Sequence, residues 1–226
     1  MNILICGMPR SGSSMLWGLI NIILKLKYKK DNVIMDLIFN YNHLPLDNKH
    51  YVLKIHECNN DSDKKSMRIE ELRNWADLII ITRRDIRTCY SSLIKKKKRS
   101  NKDYFKYYDD KSKQIKTIKF KNNTKEICNF IIYNCFKKWE EKTKIDYCFV
   151  YENYIKNINQ EINNLKKILN ANNINNEEII NNFNNLKNKW INNKNHVTSQ
   201  NPSDYSFLDN ETLKILDQNF NDFFHF

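Results

Sequence analysis

Short apolar runs alternate with longer segments of helical periodicity along this chain. Residues 77–82 form the clearest apolar run, Asp-Leu-Ile-Ile-Ile-Thr, and similar runs stand at 3–6, 51–56 and 147–150. Runs of this length are typical of strands that are covered on both faces. The pattern therefore predicts an α/β fold, a single domain in which helices flank a central parallel sheet.

Apolar residues at helical spacing follow these runs. The predicted helices span residues 15–24, 64–75, 86–97, 125–142, 159–170, 176–191 and 210–218. Residues 32–39 are apolar but fit neither period. Residues 100–124 are polar, rich in Lys and Tyr and poorly periodic, which predicts a mobile excursion from the domain. From about residue 156 the pattern predicts a helical C-terminal part.

Charge and cysteine content narrow the class of protein. The 226 residues carry a net charge of +12, which favours anionic partners such as nucleotides or sulfated molecules. Cys6 and Cys148 lie within apolar runs, so we expect both to be reduced core residues. The first run begins next to Met1, and the apolar stretch 15–24 is too short to span a bilayer. We expect a cytoplasmic protein without a signal peptide or a transmembrane segment.

The loop after the first apolar run, residues 7–14, reads Gly-Met-Pro-Arg-Ser-Gly-Ser-Ser. A strand, a small-residue loop and a helix N-terminus form a P-loop-type unit, which binds phosphate through backbone N–H groups and the helix dipole. The loop has the frame of a Walker A motif, but Ser13 replaces the lysine and Arg10 supplies a cation. The hydroxyls of Ser11, Ser13 and Ser14 are further candidate ligands. The alternative is a Ser-rich turn that only caps the helix.

Two further polar groups stand where predicted strands end, the edge at which ligands bind in such sheets. Arg84 and Ser92 share one helix face, and an arginine with a serine hydroxyl suits a second phosphate. Lys54 and His56 alternate along a strand, so both point to one face; a His can act as a general base and a Lys can stabilise charge. The simpler interpretations are an Arg/Asp-capped helix and a solvated strand end.

These three segments, in this order, resemble the sulfotransferase superfamily. Its members move a sulfuryl group from 3′-phosphoadenosine 5′-phosphosulfate (PAPS) to a hydroxyl or an amine. Residues 7–14 look like the family's 5′-phosphosulfate loop, and residues 84–92 look like its 3′-phosphate motif. Residues 54–56 are similar to the strand end with the catalytic base, and 149–152 resemble a strand end near the adenine. The matches span residues 3 to about 155.

The resemblance implies a metal-independent transfer with no metal ligands. His56 would remove the acceptor proton, while Lys54 and Arg10 would stabilise charge on the sulfuryl group and the leaving phosphate oxygen. Glu57 is the alternative base. The implied cofactor-binding residues are Gly7, Pro9, Arg10, Ser11, Gly12, Ser13, Ser14, Arg84, Ser92 and Tyr151.

The acceptor would be bound by loops, since loops set specificity in such folds. The candidates, residues 40–50, 57–65, 100–124 and 192–206, are polar, which favours a saccharide or another polar small molecule over a steroid. We expect no nucleic-acid partner. Two other functions stay open: a P-loop kinase with a degenerate Walker A motif, and a basic, non-enzymatic nucleic-acid-binding protein whose binding weakens with salt.

Overall fold

A five-stranded parallel sheet forms the centre of the molecule. The structure, a computed structural model, describes residues 1–28, 30–37, 44–55, 69–99, 103–109, 112, 114–120, 122–192, 205 and 208–224. The strands are β1 (Asn2–Gly7), β2 (Val33–Leu37), β3 (His50–Lys54), β4 (Leu78–Arg83), β5 (Tyr104–Asp109), β6 (Gln114–Lys119) and β7 (Tyr147–Val150). The sheet has the order β2-β3-β1-β4-β7 and all its neighbouring pairs are parallel, which confirms the predicted α/β architecture.

Helices flank this sheet. They are α1 (Ser13–Lys27), α2 (Ile69–Trp75), α3 (Ile86–Arg99), α4 (Thr124–Asn129), α5 (Lys138–Lys142), α6 (Tyr151–Lys156), α7 (Ile158–Ile168), α8 (Asn176–Asn192) and α9 (Asn210–Asn219). A π-helical segment, Phe130–Lys137, joins α4 to α5, and a 3₁₀ turn, Asn221–Phe223, follows α9. Of the predicted helix 64–75, residues 64–68 lie outside the described residues. Within the described ranges, each helix is too short or too polar to span a bilayer.

Alternate residues of each strand enter two separate apolar layers, because successive side chains of a strand point to opposite faces. On β1, Ile3 and Ile5 pack beneath α1, α7 and α8. Leu4 and Cys6 pack on the other face beneath α2 to α5 and α9. Both faces of the sheet are therefore buried, which explains why its central strands are continuous apolar runs.

Two positions near the edges of the sheet extend or correct the sequence analysis. The ambiguous stretch 32–39 contains the edge strand β2, which pairs with β3. Cys6 is buried as predicted, but Cys148 is exposed. The predicted core position of Cys148 is wrong because β7 is the edge strand at the other end of the sheet.

The described residues within 100–124 form an antiparallel hairpin, β5–β6. Phe105 and Tyr107 are buried and alternate with the exposed Lys106. The Phe105 ring lies 5.5 Å from that of Phe130 and 6.3 Å from that of Phe120, measured between centroids. The sequence pattern therefore missed this hairpin, because its many lysines obscure the period of two that a half-buried strand shows. That residues 100–124 form a mobile excursion stays a prediction.

The carboxyl ends of β1 and β4, which are neighbours in the sheet, meet at one edge, and we call the space beyond this edge the crevice. The helix that follows β1 packs on one face of the sheet, through Leu16 and Leu19. The helix that follows β4 packs on the opposite face, through Ile86 and Cys89. Two adjacent parallel strands whose helices leave to opposite faces define the point at which such sheets bind ligands.

We expect Gly7→Ala to lower the free energy of unfolding by about 3 kcal/mol. Gly7 has φ +112°, and a Cβ atom there would lie 2.4 Å from the Thr82 carbonyl oxygen and 2.6 Å from its nitrogen. Backbone atoms of paired strands cannot move aside without breaking the ladder. The measurement is urea denaturation followed by circular dichroism.

Gly18→Ala is the matched control. A Cβ at Gly18 would meet side-chain atoms and no backbone: Trp190 at 2.8 Å, Leu186 at 3.0 Å and Phe183 at 3.2 Å. Alanine also favours the helix by about 1 kcal/mol relative to glycine. Equal losses of stability in the two variants would contradict the importance of the close approach between Gly7 and Thr82.

Candidate anion-binding site

The N-terminus of α1 faces the crevice without a side-chain cap. Gly12 is the N-cap residue, in the left-handed conformation with φ 85°, and no described side chain caps the helix. The amides of Met15 and Leu16 both donate to the Gly12 carbonyl, at 2.8 and 3.0 Å. The amides of Ser13 and Ser14 come before the first intrahelical bonds. The serines of this loop therefore do not cap α1, in contrast to the simpler interpretation of the loop.

Ser11 holds the loop on the sheet. Its hydroxyl is fully buried, lies 2.6 Å from Thr82 Oγ1 and bonds to the Met8 carbonyl. Thr82 Oγ1 in turn donates to the Cys6 carbonyl at 3.0 Å, and the Met8 amide donates to the Thr82 carbonyl at 3.0 Å. The Ser11 hydroxyl thus bonds to the loop and to β4, and its contact with a phosphate stays a prediction.

Arg10 links the loop to α3. Its Nε donates to Ser92 Oγ at 3.0 Å, and its own carbonyl accepts a bond from Arg84 Nη1 at 3.2 Å. Arg10 has φ 69°, a left-handed conformation that is uncommon for a residue with a side chain. The loop between β1 and α1 is therefore joined to both ends of the predicted second phosphate motif.

Arg84 is a buried cation whose donors are not all used. Its side chain is 3% exposed, and its guanidinium lies 4.1 Å from the centre of the Tyr151 ring. Its Nε lies 3.9 Å from Glu152 Oε1 but has no hydrogen-bond partner in the described part of the chain. A buried polar group is stable only with a partner, so this N–H is a candidate contact for a bound anion.

Tyr151 closes the site on the side of the loop. A Cβ atom added at Gly12 would lie 2.4 Å from Tyr151 Cδ2, so the ring packs directly against the loop backbone. The buried Tyr151 follows β7 at the start of α6. The loop, Arg84 and Tyr151 thus form one continuous surface. Pro9 lies half-buried in the same loop.

Lys54 reaches the loop from the end of β3. Its Nζ donates to Ser14 Oγ at 3.1 Å and lies 4.9 Å from the centre of the Trp17 ring. Burial above all, together with the nearby positive charges of Lys96 and Arg10, lowers the pKa of Lys54 to about 8. Its ammonium charge is therefore easily lost, and an anion that binds beside it would stabilise the charged form.

His56, the predicted base, and its alternative Glu57 lie outside the described residues. Lys54, two positions earlier, points towards the loop. The sequence analysis did not predict that Trp17 and Lys96 would lie close enough to Lys54 to interact with its ammonium group. The signal was available in both cases: Trp17 stands three residues after Ser14 on α1, and Lys96 four residues after Ser92 on α3, spacings that share a helix face.

The fold and this site define an α/β protein with a cationic crevice at the carboxyl edge of its sheet. Arg10, Lys54, Arg84 and the start of α1 can bind an anion with more than one negatively charged group. Among the described residues, no group of three or more His, Cys, Asp or Glu is arranged to hold a metal ion. No protein-family model matches this chain, and no curated protein matches it either.

The affinity of this site for sulfate should fall as the pH rises from about 7 to about 9.5, because Lys54 loses its charge in this range while sulfate keeps its own. Bound sulfate favours the ammonium form, so the midpoint should lie at or above the pKa of about 8. Loss of this one charge should weaken binding about fivefold. The measurement is calorimetric titration with sulfate at a series of pH values.

Lys54→Arg is the control for this pH dependence, since arginine stays charged over the whole range. The variant should bind sulfate with little change across the same pH values. A fall of equal size in the Arg variant would show that another group causes it.

Arg10→Gly should be more stable than Arg10→Ala by about 1 kcal/mol, although both lack the side chain. Glycine adopts the left-handed φ of position 10 without strain, whereas alanine retains the strain. Both variants should bind sulfate more weakly than the wild type, because neither carries the guanidinium. Urea denaturation and sulfate titration measure the two effects separately. An alanine variant as stable as the glycine variant would contradict strain at this position.

Proposed function

We propose that this chain is a sulfotransferase that transfers a sulfuryl group from PAPS to a hydroxyl or an amine of a polar acceptor. The observation that carries the proposal is the contact of Arg10 with Ser92 and Arg84. It joins the loop that resembles a 5′-phosphosulfate site to the pair that resembles a 3′-phosphate site. A nucleotide that is phosphorylated at both positions would require both sites in one crevice.

The two ends of the crevice suit two different anionic groups. At one end, the uncapped start of α1 and Lys54 offer backbone N–H groups and an ammonium beside Ser14. At the other end, Arg84 Nε, which makes no hydrogen bond within the described part of the chain, and the Ser92 hydroxyl offer a planar donor and a small polar group. Arg10 lies between the two ends and can serve either. Tyr151 gives this surface an aromatic wall.

PAPS, when bound, supplies an activated sulfuryl group attached to a phosphate oxygen. In the proposed reaction the acceptor oxygen bonds to sulfur as the bond between sulfur and the phosphate oxygen breaks. Lys54 and Arg10 would hold negative charge on the sulfuryl and phosphate oxygens in place of a metal ion. His56, or alternatively Glu57, would take the acceptor proton.

We propose a saccharide or another polar small molecule as the acceptor. The hairpin β5–β6 follows α3, the helix that carries Ser92, and it exposes Lys106, Lys116 and Lys119. Exposed lysines on this hairpin suit a polar or acidic acceptor and offer little to a steroid.

A kinase that uses Mg²⁺-ATP is the competing proposal. The observation that favours it is the position of Lys54 Nζ beside Ser14, since an ammonium at a helix N-terminus also suits a nucleoside triphosphate. A kinase has no need of the Arg84 and Ser92 pair for a phosphate at the 3′ position.

Calorimetric titration separates these proposals. We expect the protein to bind adenosine 3′,5′-bisphosphate more tightly than AMP or Mg²⁺-ATP, because only the bisphosphate engages both ends of the crevice. Arg84→Ala should weaken binding of the bisphosphate about ten- to hundredfold and leave AMP binding nearly unchanged. Sulfuryl transfer from labelled PAPS to a panel of saccharides and phenols then tests catalysis. Tight binding of Mg²⁺-ATP without binding of the bisphosphate would overturn the sulfotransferase proposal.

A further inference from the structure

Residues 222–224, which we call the C-terminal segment, contact arginines on both sides of Arg84 in the sequence. The guanidinium of Arg87 lies 4.1 Å from the centre of the Phe224 ring, and Arg83 Nη2 donates to the Asp222 carbonyl at 3.0 Å. Phe224 is itself buried in the core layer beneath α3. Two arginines on either side of Arg84 are thus fixed by residues that lie more than a hundred positions later in the chain.

Asp85, the residue next to Arg84, is fully engaged by Arg87. The Arg87 guanidinium donates to both carboxylate oxygens, with Nε 3.1 Å from Oδ1 and Nη2 2.5 Å from Oδ2. The Arg87 backbone amide also donates to Oδ1 at 2.8 Å, so Asp85 caps the start of α3. This bidentate pair is buried at Asp85 and mostly buried at Arg87.

We propose that Arg87, held by Phe224, is a positioning residue that keeps the Asp85 carboxylate away from Arg84 and so makes the crevice selective for a 3′-phosphate. The inference rests on the proposed function. Without Arg87, Asp85 would be a buried carboxylate that has lost its ion pair, and Arg84, its neighbour in the chain, carries a guanidinium with an unused donor. The carboxylate would occupy the donors that a phosphate needs and repel the phosphate as well.

The aromatic contact explains why the C-terminal segment matters to a site that it does not enter. A ring face against a guanidinium fixes the plane of that group, and the plane decides whether both carboxylate oxygens of Asp85 can be reached. Arg84 is left with Tyr151 beneath it, Glu152 beside it and an unused Nε. Phe224 therefore acts on Arg84 through Arg87 and Asp85.

The test compares binding of adenosine 3′,5′-bisphosphate with binding of AMP in four proteins: wild type, Arg87→Ala, Arg87→Ala with Asp85→Asn, and Phe224→Leu. Arg87→Ala should weaken binding of the bisphosphate at least about tenfold and leave AMP binding unchanged. Adding Asp85→Asn should restore most of the loss, because asparagine still caps α3 but has no charge. Phe224→Leu keeps the packing and removes the ring, so it should weaken binding of the bisphosphate about two- to fivefold.

If Arg87 only stabilised the fold, adding Asp85→Asn would not restore binding of the bisphosphate. Restored binding in the double variant therefore distinguishes the proposed role from a structural one. Equal selectivity for the bisphosphate in the wild type and Arg87→Ala would overturn the inference, and so would a loss that Asp85→Asn does not restore. If Arg87→Ala does not fold, unchanged selectivity in Phe224→Leu overturns it. A wild type that does not prefer the bisphosphate to AMP would instead overturn the proposed function, which the inference requires.

Discussion

The close approach of β1 and β4 at their carboxyl ends is the constraint on which the site depends. Gly7 leaves no room for a side chain against the Thr82 backbone, and the Thr82 hydroxyl lies between the Cys6 carbonyl and the Ser11 hydroxyl. These contacts fix both ends of the loop before any ligand arrives. The left-handed conformation of Arg10 follows from a loop that must leave one strand and enter α1 within a few residues. Preorganisation of this kind lowers the entropic cost of binding.

Electrostatics then sets what this loop can bind. Arg10 and Arg84 are joined at the loop, Lys54 reaches the same loop at Ser14, and the positive charge of Arg10 acts on Lys54. Glu152 lies 3.9 Å from Arg84, whereas Asp85 is committed to Arg87. The pKa of Lys54 is lowered by burial first, and then by the positive charges of Lys96 and Arg10. An anion bound beside Lys54 would favour its charged form, and any ligand that binds the folded state links the affinity of the site to the stability of the fold.

The sequence predicts the sheet and the polar positions at its edge well, because β1, β4 and β7 carry strong apolar signals and loops follow from where strands end. The sequence-based prediction fails in two places. Lysines obscure the alternation of the hairpin that buries Phe105, and an apolar run does not reveal that the strand with Cys148 lies at the edge of the sheet. Within the site, residue types predicted the convergence of Arg10, Arg84 and Ser92, but not which contacts form. The bond of Ser11 to Thr82 depends on strand register, which the sequence does not reveal.

The π-helical segment Phe130–Lys137 places a constraint on length instead of on residue type. Each π turn holds an extra residue relative to an α turn, so the faces of the helix shift along this segment. The shift lets Ile131 and Ile132 enter the core together with Trp139 in the following α5, while Tyr133 stays half-exposed. Removing a single residue here would restore α-helical spacing and rotate Trp139 out of its layer. Homologous chains should therefore vary freely at Tyr133 but keep the number of residues between β6 and β7.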